Sequence, residues 1–378
     1  MEQIIIGGII AFLVTYYAIP VIIQVANAKK LYDIPDERKI HKKPIPSLGG
    51  FGIFVGFAIS LLLMLNFKEN AELQYYLAAF LIIFFLGIKD DIVVLSPQKK
   101  FVGQLLVAAL LMFKANLLIT DMHGFLGVHK INSTFSYFLT LFTIIVIINA
   151  YNLIDGVDGL AGTVGLITSS VFGTFFLMNG NIAYAVMGFG ISGSILAFLI
   201  YNYHPAKIFM GDTGSMLLGL VNTILVIKFI EVGGINSHSV YVAATPALGF
   251  GILLMPLMDT LRVFGIRIFH GRSPFSPDRN HLHHLLLDRG CNHRTVTFII
   301  AGACILFIGL AFVSQPLGTT YIIAGLVGLF FAGIFGLYIT KPKVHLHVVK
   351  DEPLYRKGER HAPLVSLFTE TPAAVEED

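Results

Sequence analysis

Four clusters of polar residues interrupt an otherwise apolar chain, and their side chains are of the types that do chemistry. Carboxylates, amides, cations and imidazoles occur there together with glycine. Ionisable groups within or at the edge of a membrane are expensive and usually functional. The clusters occupy residues 89–91, 149–162, 209–215 and 276–284. Several such clusters on one side of a membrane would indicate one active site.

The first cluster is Lys89-Asp90-Asp91. Adjacent residues of a helix point about 100° apart, so Asp90 and Asp91 do not share a face, but both can reach one polar cavity. A carboxylate here would order a metal or take a proton, next to Lys100 as a cation that holds phosphate. The alternative is structural: the acids cap a helix end and the lysines mark the inner side of the membrane.

The second cluster repeats oxygen-bearing side chains every third residue: Asn149, Asn152, Asp155 and Asp158. Residues three apart on a helix lie on one face. Amide and carboxylate oxygens suit a hard cation such as Mg²⁺. The interleaved glycines let backbone N–H groups approach a ligand closely.

The third cluster, residues 209–215, predicts the start of a helix, with Asp212, Thr213 or Ser215 as its N-cap. Capping alone would explain these residues. A helix N-terminus also attracts anions. Phe209 could stack on a base or a sugar.

The fourth cluster is cationic and rich in histidine. Arg279, His281, His283 and His284 suit a pyrophosphate or a sugar. The pattern lacks the histidine spacing and glutamate of a zinc-protease helix, and a solvated basic loop is the alternative. Lys42 lies in a further basic segment that could meet an anionic headgroup or a nucleotide.

The composition indicates an all-α polytopic integral membrane protein. Of the 378 residues, 55% are hydrophobic and 13% are charged, whereas soluble domains carry about 25% charged residues. Residues 1–340 are predicted to form a transmembrane catalytic domain and residues 341–378 a polar cytoplasmic tail. Eleven apolar segments are predicted to cross the membrane: 3–25, 48–66, 75–89, 101–119, 134–152, 161–178, 181–202, 213–231, 240–262, 296–314 and 319–340.

The distribution of basic residues predicts the orientation. With the N-terminus outside and the C-terminus inside, 22 of the 26 lysines and arginines fall on the inner side, as the positive-inside rule requires. The four clusters then share the cytoplasmic side. A transporter would place carboxylates at the midplane, and a net charge of only +3 offers no footprint for nucleic acid.

At these residues the chain resembles the polyprenyl-phosphate N-acetylhexosamine-1-phosphate transferase family, over about residues 29–289. The resemblance is strongest to the bacterial N-acetylglucosamine branch. It implies transfer of GlcNAc-1-phosphate from UDP-GlcNAc to undecaprenyl phosphate, with UMP as product, in the bacterial cytoplasmic membrane. Another UDP-N-acetylhexosamine or UDP-MurNAc-pentapeptide is the alternative donor. The reaction would be the first membrane step of a cell-envelope polysaccharide pathway, with a homodimer as a possible assembly.

The family's motifs also imply roles for individual residues. Asn152 and Asp212 would bind Mg²⁺, with Mn²⁺ as an alternative, while Phe209 would stack on uracil and Asp158 would hydrogen-bond it. The other implied substrate-binding residues are Lys42, Asn149, Asp155 and Arg279. The implied catalytic residues are Asp90, Asp91, Lys100, His281, His283 and His284. The expected mechanism is a single in-line attack by the lipid phosphate, with a phospho-aspartate intermediate as the alternative.

Overall fold

The fold is almost entirely helical. A computed structural model describes residues 1–33, 44–234, 241–273 and 280–340. Two short antiparallel pairs join β1 (Tyr32–Asp33) to β2 (Ile45–Pro46) and β3 (Asp121–Phe125) to β4 (Val128–Lys130). The α-helices of the described residues are α1 (Glu2–Lys29), α2 (Gly49–Met64), α3 (Glu72–Ile92), α4 (Pro97–Phe113), α5 (Ser133–Ile154), α6 (Leu160–Met178), α7 (Ile182–Asn202), α8 (Gly211–Gly233), α9 (Thr245–Ile252), α10 (Leu254–Phe269), α11 (Leu282–Leu287), α12 (His293–Val313) and α13 (Thr319–Ile339).

Several of these helices can cross a membrane, which confirms the all-α polytopic prediction. Within the described residues, seven helices are long and apolar enough, and the bent pair of α9 and α10 would make an eighth. Each of the eleven predicted segments overlaps one of the helices or the bent pair. Because α2, α3 and α4 are not among these eight, the count of eleven stays a prediction, as does the outward N-terminus.

The ninth predicted span, 240–262, corresponds to a bent pair of helices, α9 and α10. The chain turns by 80° between α9 and α10. Proline lacks a backbone N–H, and its ring collides with the carbonyl four residues earlier. For Pro256 that carbonyl belongs to Ile252, the last residue of α9. The break therefore falls where Pro256 interrupts the hydrogen bonding.

α8 lies at the centre of the bundle and begins at the third polar cluster. It contacts α2, α3, α5, α6, α7 and α9, and every residue from Thr213 to Ile227 is buried. A helix that is apolar on all sides belongs in the interior. The residues of its first turn are consequently held by several neighbours at once.

Glycines allow two helices to reach the start of α8 at backbone distance. A Cβ atom at Gly50 of α2 would overlap the backbone of Thr213 and Gly214. A Cβ atom at Gly87 of α3 would overlap Thr213. Both helices therefore fix the first turn of α8 directly, without intervening side chains.

Gly50→Ala should lower the free energy of unfolding by about 3 kcal/mol, because the added methyl group fits only if α2 moves away from α8. Gly328→Ala in α13 is the matched control, since nothing lies within 4 Å of a Cβ added there. Thermal unfolding of the detergent-purified protein should show a lower midpoint for Gly50→Ala alone. Equal midpoints for the two variants would contradict the backbone contact.

The polar clusters meet at one end of the bundle, as predicted for the residues that the structure describes. Asp91 of the first cluster hydrogen-bonds to the start of α8. His204, just before α8, lies against Asp158 of the second cluster. Gly156 of the second cluster touches the ring of His283 of the fourth. The opposite end carries the β3–β4 hairpin, which packs against the start of α13.

Candidate active site

Asp91 caps a helix other than its own. Its Oδ1 accepts a hydrogen bond from the backbone N–H of Asp212 (2.7 Å), and its Oδ2 accepts from the N–H (3.1 Å) and the hydroxyl (2.6 Å) of Thr213. A negative charge is favourable at the N-terminus of α8. The N-cap residue of α8 is Met210, and its side chain makes no capping hydrogen bond. The prediction that Asp212, Thr213 or Ser215 is the N-cap is therefore wrong. These N–H groups already hold a carboxylate and are not free for a substrate anion.

Lys100 joins the other acid of the first cluster to α8. Its Nζ lies 2.6 Å from Oδ2 of Asp90 and also contacts Oδ2 of Asp212. Oδ1 of Asp90 accepts a hydrogen bond of 2.6 Å from the N–H of Leu95, which fixes the turn between α3 and α4. One ammonium group thus offsets two carboxylates that different helices bring together.

The two asparagines of α5 have different neighbours. Asn149 donates from Nδ2 to Oε1 of Gln104 on α4 (2.8 Å), so it ties two helices together. Asn152 donates from Nδ2 to the hydroxyl of Ser215 (3.0 Å) and lies within hydrogen-bonding reach of Asp212. Its amide oxygen therefore remains the atom that can bind a cation. Sequence reasoning missed Gln104, which is a single buried polar residue in an apolar helix.

The side chain of Asp155, unlike those of Asp90, Asp91 and Asp212, receives no hydrogen bond within the described part of the chain. It follows α5 as the C-cap residue. Burial, followed by repulsion from Asp212, Asp91 and Asp158, raises its pKa to about 8. The carboxyl group is therefore mainly protonated at neutral pH, and a nearby metal ion would favour its ionised form.

Asp155→Asn should stabilise the metal-free protein increasingly as the pH rises. An unfolded aspartate has a pKa of about 3.9, whereas the folded pKa is about 8. The folded protein thus binds the extra proton, and its stability falls as the pH rises between these two values. Unfolding midpoints in EDTA should differ little at pH 4 and most at pH 9. A difference that does not change with pH would contradict the raised pKa.

Asp158 lies between two histidines that sequence reasoning did not assign to the site. Its Oδ2 lies 2.6 Å from Nδ1 of His204 and accepts a bond of 3.3 Å from the N–H of Ala206, while its Oδ1 lies 3.4 Å from Nδ1 of His293. Burial raises the pKa of Asp158, but the nearby imidazole rings of His293 and His204 outweigh it and hold the pKa below its ordinary value. No short-range spacing signals this group, because its members come from three separate segments.

The Asp158, His204 and His293 group also has the composition of a transition-metal site. Its ligand atoms all lie within 4.8 Å of one another, and two histidines with one carboxylate can hold such a metal. The polar end of the bundle therefore has a second group of histidines, besides the H-x-H-H pattern of the fourth cluster.

Phe209 is held by its backbone. Its N–H donates to the carbonyl of Pro46 (2.7 Å), and its carbonyl accepts from the N–H of Gly49 (2.9 Å). The segment before α8 is therefore tied to the start of α2. The ring is half-buried at the polar end of the bundle.

The histidines of the fourth cluster begin α11 and reach the second cluster. The ring of His283 lies so close to Gly156 that a Cβ atom there would overlap it. Burial and the neighbouring His284 lower the pKa of His283 to about 3, so that it is neutral. His281, the residue before α11, stacks on His283 with a centroid separation of 5.7 Å. Lys42, Arg279 and the tail 341–378 lie outside the described residues.

The described residues form one site in which oxygen-bearing side chains surround the ammonium group of Lys100. Asp90, Lys100, Asn152 and Asp212 are joined by direct contacts, and Asp91 fixes the turn that carries Asp212. Such hard oxygen donors fit a divalent cation such as Mg²⁺.

Comparison with known proteins identifies relatives that cover most of the chain. The family described as "Glycosyl transferase family 4" matches residues 73–230, which include the first three clusters. A decaprenyl-phosphate N-acetylglucosaminephosphotransferase of Mycobacterium leprae is 32% identical, over 79% of this chain and 81% of the relative. A probable undecaprenyl-phosphate N-acetylglucosaminyl 1-phosphate transferase of Bacillus subtilis is 33% identical, over 79% and 82%. An undecaprenyl-phosphate alpha-N-acetylglucosaminyl 1-phosphate transferase of Escherichia coli O157:H7 is 30% identical, over 77% and 78%. The chain therefore belongs to the polyprenyl-phosphate N-acetylhexosamine-1-phosphate transferases of glycosyl transferase family 4.

Proposed function

We propose that the protein transfers GlcNAc-1-phosphate from UDP-GlcNAc to undecaprenyl phosphate, giving undecaprenyl-pyrophosphoryl-GlcNAc and UMP. Family membership supports the class of reaction. The observation that carries the specific proposal is the contact of Lys100 with Asp90 and Asp212 at the polar end of an apolar bundle. Phosphoryl transfer relies on positioning and charge neutralisation, and a soluble nucleotide can meet a lipid phosphate at such an end.

We propose Mg²⁺ as the metal, held by Asp212 and the amide oxygen of Asn152; Mn²⁺ would use the same oxygen ligands. In support, the Lys100 ammonium already lies between two carboxylates, which marks a position of negative potential. When bound, Mg²⁺ would neutralise charge on the donor pyrophosphate. Lys100 is then the side chain that can turn to hold a phosphate oxygen.

Asp158 and Phe209 would bind the nucleotide base. Oδ1 of Asp158 has one neighbour in the described residues, His293 at 3.4 Å, so it is the oxygen left to accept an N–H of uracil. His204 and Ala206 hold the other oxygen. The half-buried ring of Phe209 would stack on the base.

A single in-line attack is the simpler route for this arrangement. Both oxygens of Asp91 accept hydrogen bonds from α8, and both oxygens of Asp90 contact Leu95 or Lys100. Neither acid is poised as a free nucleophile for a phospho-aspartate. Labelled phosphate trapped on the protein without lipid acceptor would overturn the single-step view.

An apolar cavity of about 210 Å³ supports a lipid acceptor. It lies between α5, α8 and the bent pair of α9 and α10, where the 80° turn separates the helices. Its walls are aliphatic and aromatic, which suits a polyprenyl chain. The residues that line it include Leu139, Phe142, Val146, Val226, Phe250 and Leu257.

The test is an assay of the purified protein with undecaprenyl phosphate and a panel of UDP-sugars, following release of UMP. We expect release with UDP-GlcNAc. Release only with another UDP-N-acetylhexosamine or with UDP-MurNAc-pentapeptide would change the donor, and no release with any of them would remove the proposal. Asp212→Ala should abolish Mg²⁺-dependent release; normal Mg²⁺-dependent activity of this variant would show that the metal assignment is wrong.

We also propose that the site faces the cytoplasm of a bacterial inner membrane, since 22 of the 26 lysines and arginines fall on the same side of the predicted topology as the four polar clusters. Cys291 is partly exposed and its N–H bonds to the carbonyl of Leu286 in α11, the helix that carries His283, while Cys304 is buried. A membrane-impermeant maleimide should therefore label Cys291 only after cells are opened. Labelling of Cys291 in intact spheroplasts would reverse the orientation.

A further inference from the structure

Asp259 is a buried carboxylate that binds three separate donors. It lies on α10 and is 4% exposed. Its Oδ1 accepts hydrogen bonds of 2.9 Å from the guanidinium of Arg262 and from the backbone N–H of Leu282, while its Oδ2 lies 3.0 Å from Nδ1 of His281. The motif-based assignment overlooked this acid, although Asp259 and Arg262 share one face of an apolar helix.

Arg262 completes the attachment of His281 to α10. Its guanidinium also donates to the backbone carbonyl of Asn280. Asn280 and Leu282 are the two chain neighbours of His281, so the backbone is held on both sides of the imidazole. The histidine is therefore fixed in position by its side chain and by both flanking peptide groups.

The carboxylate determines which nitrogen of His281 carries a proton. An ionised carboxylate only accepts hydrogen bonds, so Nδ1 of His281 must be the donor to Asp259. Nε2 of His281 is then the free end of the ring. It is buried and has no hydrogen-bond partner in the described part of the chain, which is costly for a polar atom unless a ligand satisfies it.

The position of the ring places this free nitrogen beside the proposed active site. The rings of His281 and His283 are parallel within 4°. His283 in turn touches Gly156, the residue after Asp155. A ligand bound over the second cluster would therefore lie next to the histidine pair.

We infer that Asp259 is a positioning residue that fixes Nδ1–H of His281 and thereby presents the unprotonated Nε2 as the acceptor for an O–H group of the bound substrates, either a sugar hydroxyl or a protonated phosphate oxygen. This inference rests on the proposed function. A structural role for Asp259 accounts for its contacts with Arg262 and Leu282, but it does not account for the unpartnered Nε2. An acceptor on the far side of an imidazole is a common means of fixing its tautomer and orientation.

The first test replaces Asp259 with asparagine. Asp259→Asn keeps the size of the side chain but can turn an N–H group toward Nδ1, which reverses the tautomer. We expect kcat for UMP release to fall about 10²-fold, with KM for UDP-GlcNAc changed less than about twofold. Asp288→Asn, a carboxylate at the other end of α11, is the matched control and should keep wild-type kinetics.

A double-mutant comparison distinguishes positioning from structure. If Asp259 acts through His281, Asp259→Asn combined with His281→Ala should have the same kcat as His281→Ala alone. Multiplied losses, or wild-type kcat for Asp259→Asn, would overturn the inference. If the wild-type protein releases no UMP from any UDP-sugar, it is the proposed function that fails instead.

His281→Asn tests the free nitrogen even if Asp259→Asn does not fold. The asparagine amide can still donate to Asp259 from the position of Nδ1, but it has no atom at the position of Nε2. We expect a wild-type unfolding midpoint and the same 10²-fold fall in kcat, about the size of one general acid–base contribution. Full kcat for His281→Asn would show that Nε2 has no role.

Discussion

Lys100→Met should lower the rate of UMP release by about 10²- to 10³-fold, the usual cost of removing one group that stabilises developing charge. Lys100 is the cation that contacts both Asp90 and Asp212. Without it, two carboxylates face each other unneutralised and a phosphate loses its partner. Methionine keeps the length of the aliphatic chain, so packing changes little.

Lys99→Met provides the control from the adjacent position. Lys99 is exposed, and its removal changes the net charge by the same amount. The rate of UMP release by Lys99→Met should stay within about twofold of the wild-type rate, since isolated surface charges contribute little. Equal losses for the two lysines would mean that the effect comes from overall charge and not from the contact with Asp90 and Asp212.

Asp91→Ala should lose both activity and stability, whereas Asp90→Ala should lose mainly activity. Asp91 accepts three hydrogen bonds from the first turn of α8, and loss of such a cap should cost about 2–3 kcal/mol. The turn that carries Asp212 would then loosen. Asp90 accepts one backbone hydrogen bond and shares Lys100 with Asp212, so its loss should cost about 1 kcal/mol.

The measurements are the unfolding midpoint and the rate of UMP release for both variants under identical conditions. Asp121→Asn, on the hairpin at the other end of the bundle, should change neither. An Asp90→Ala variant that is less stable than Asp91→Ala would reverse the assignment of roles within the pair. The two acids would in that case exchange their structural and chemical functions.

The positions of the helices along the chain could be predicted well because apolar runs of sufficient length have few alternatives in a membrane. The break near Ile252 was missed, although Pro256 was visible in the sequence. Proline alone does not decide the outcome: Pro20 lies inside α1 without ending it. Whether a helix breaks depends on how the surrounding bundle satisfies the freed carbonyl.

The acids and the lysine of the site were predictable because they stand out against an apolar background. Their partners were less accessible to sequence reasoning. His204 and His293 meet at Asp158 from segments far apart in the chain, and Asp259 reaches His281 across the fourth cluster. Such pairings depend on how the helices pack, which no local pattern records.

The capping of α8 by Asp91 has a consequence for synthesis of the protein. The chain between the acid and the helix that it caps is long, because Asp212 lies 121 positions after Asp91. When α3 and α4 leave the ribosome, the acids and Lys100 have no α8 to bind. The reaction centre is therefore completed only after α8 has entered the bundle. A chain truncated before residue 211 would contain Asp90, Asp91 and Lys100 but not Asp212, and it should be inactive.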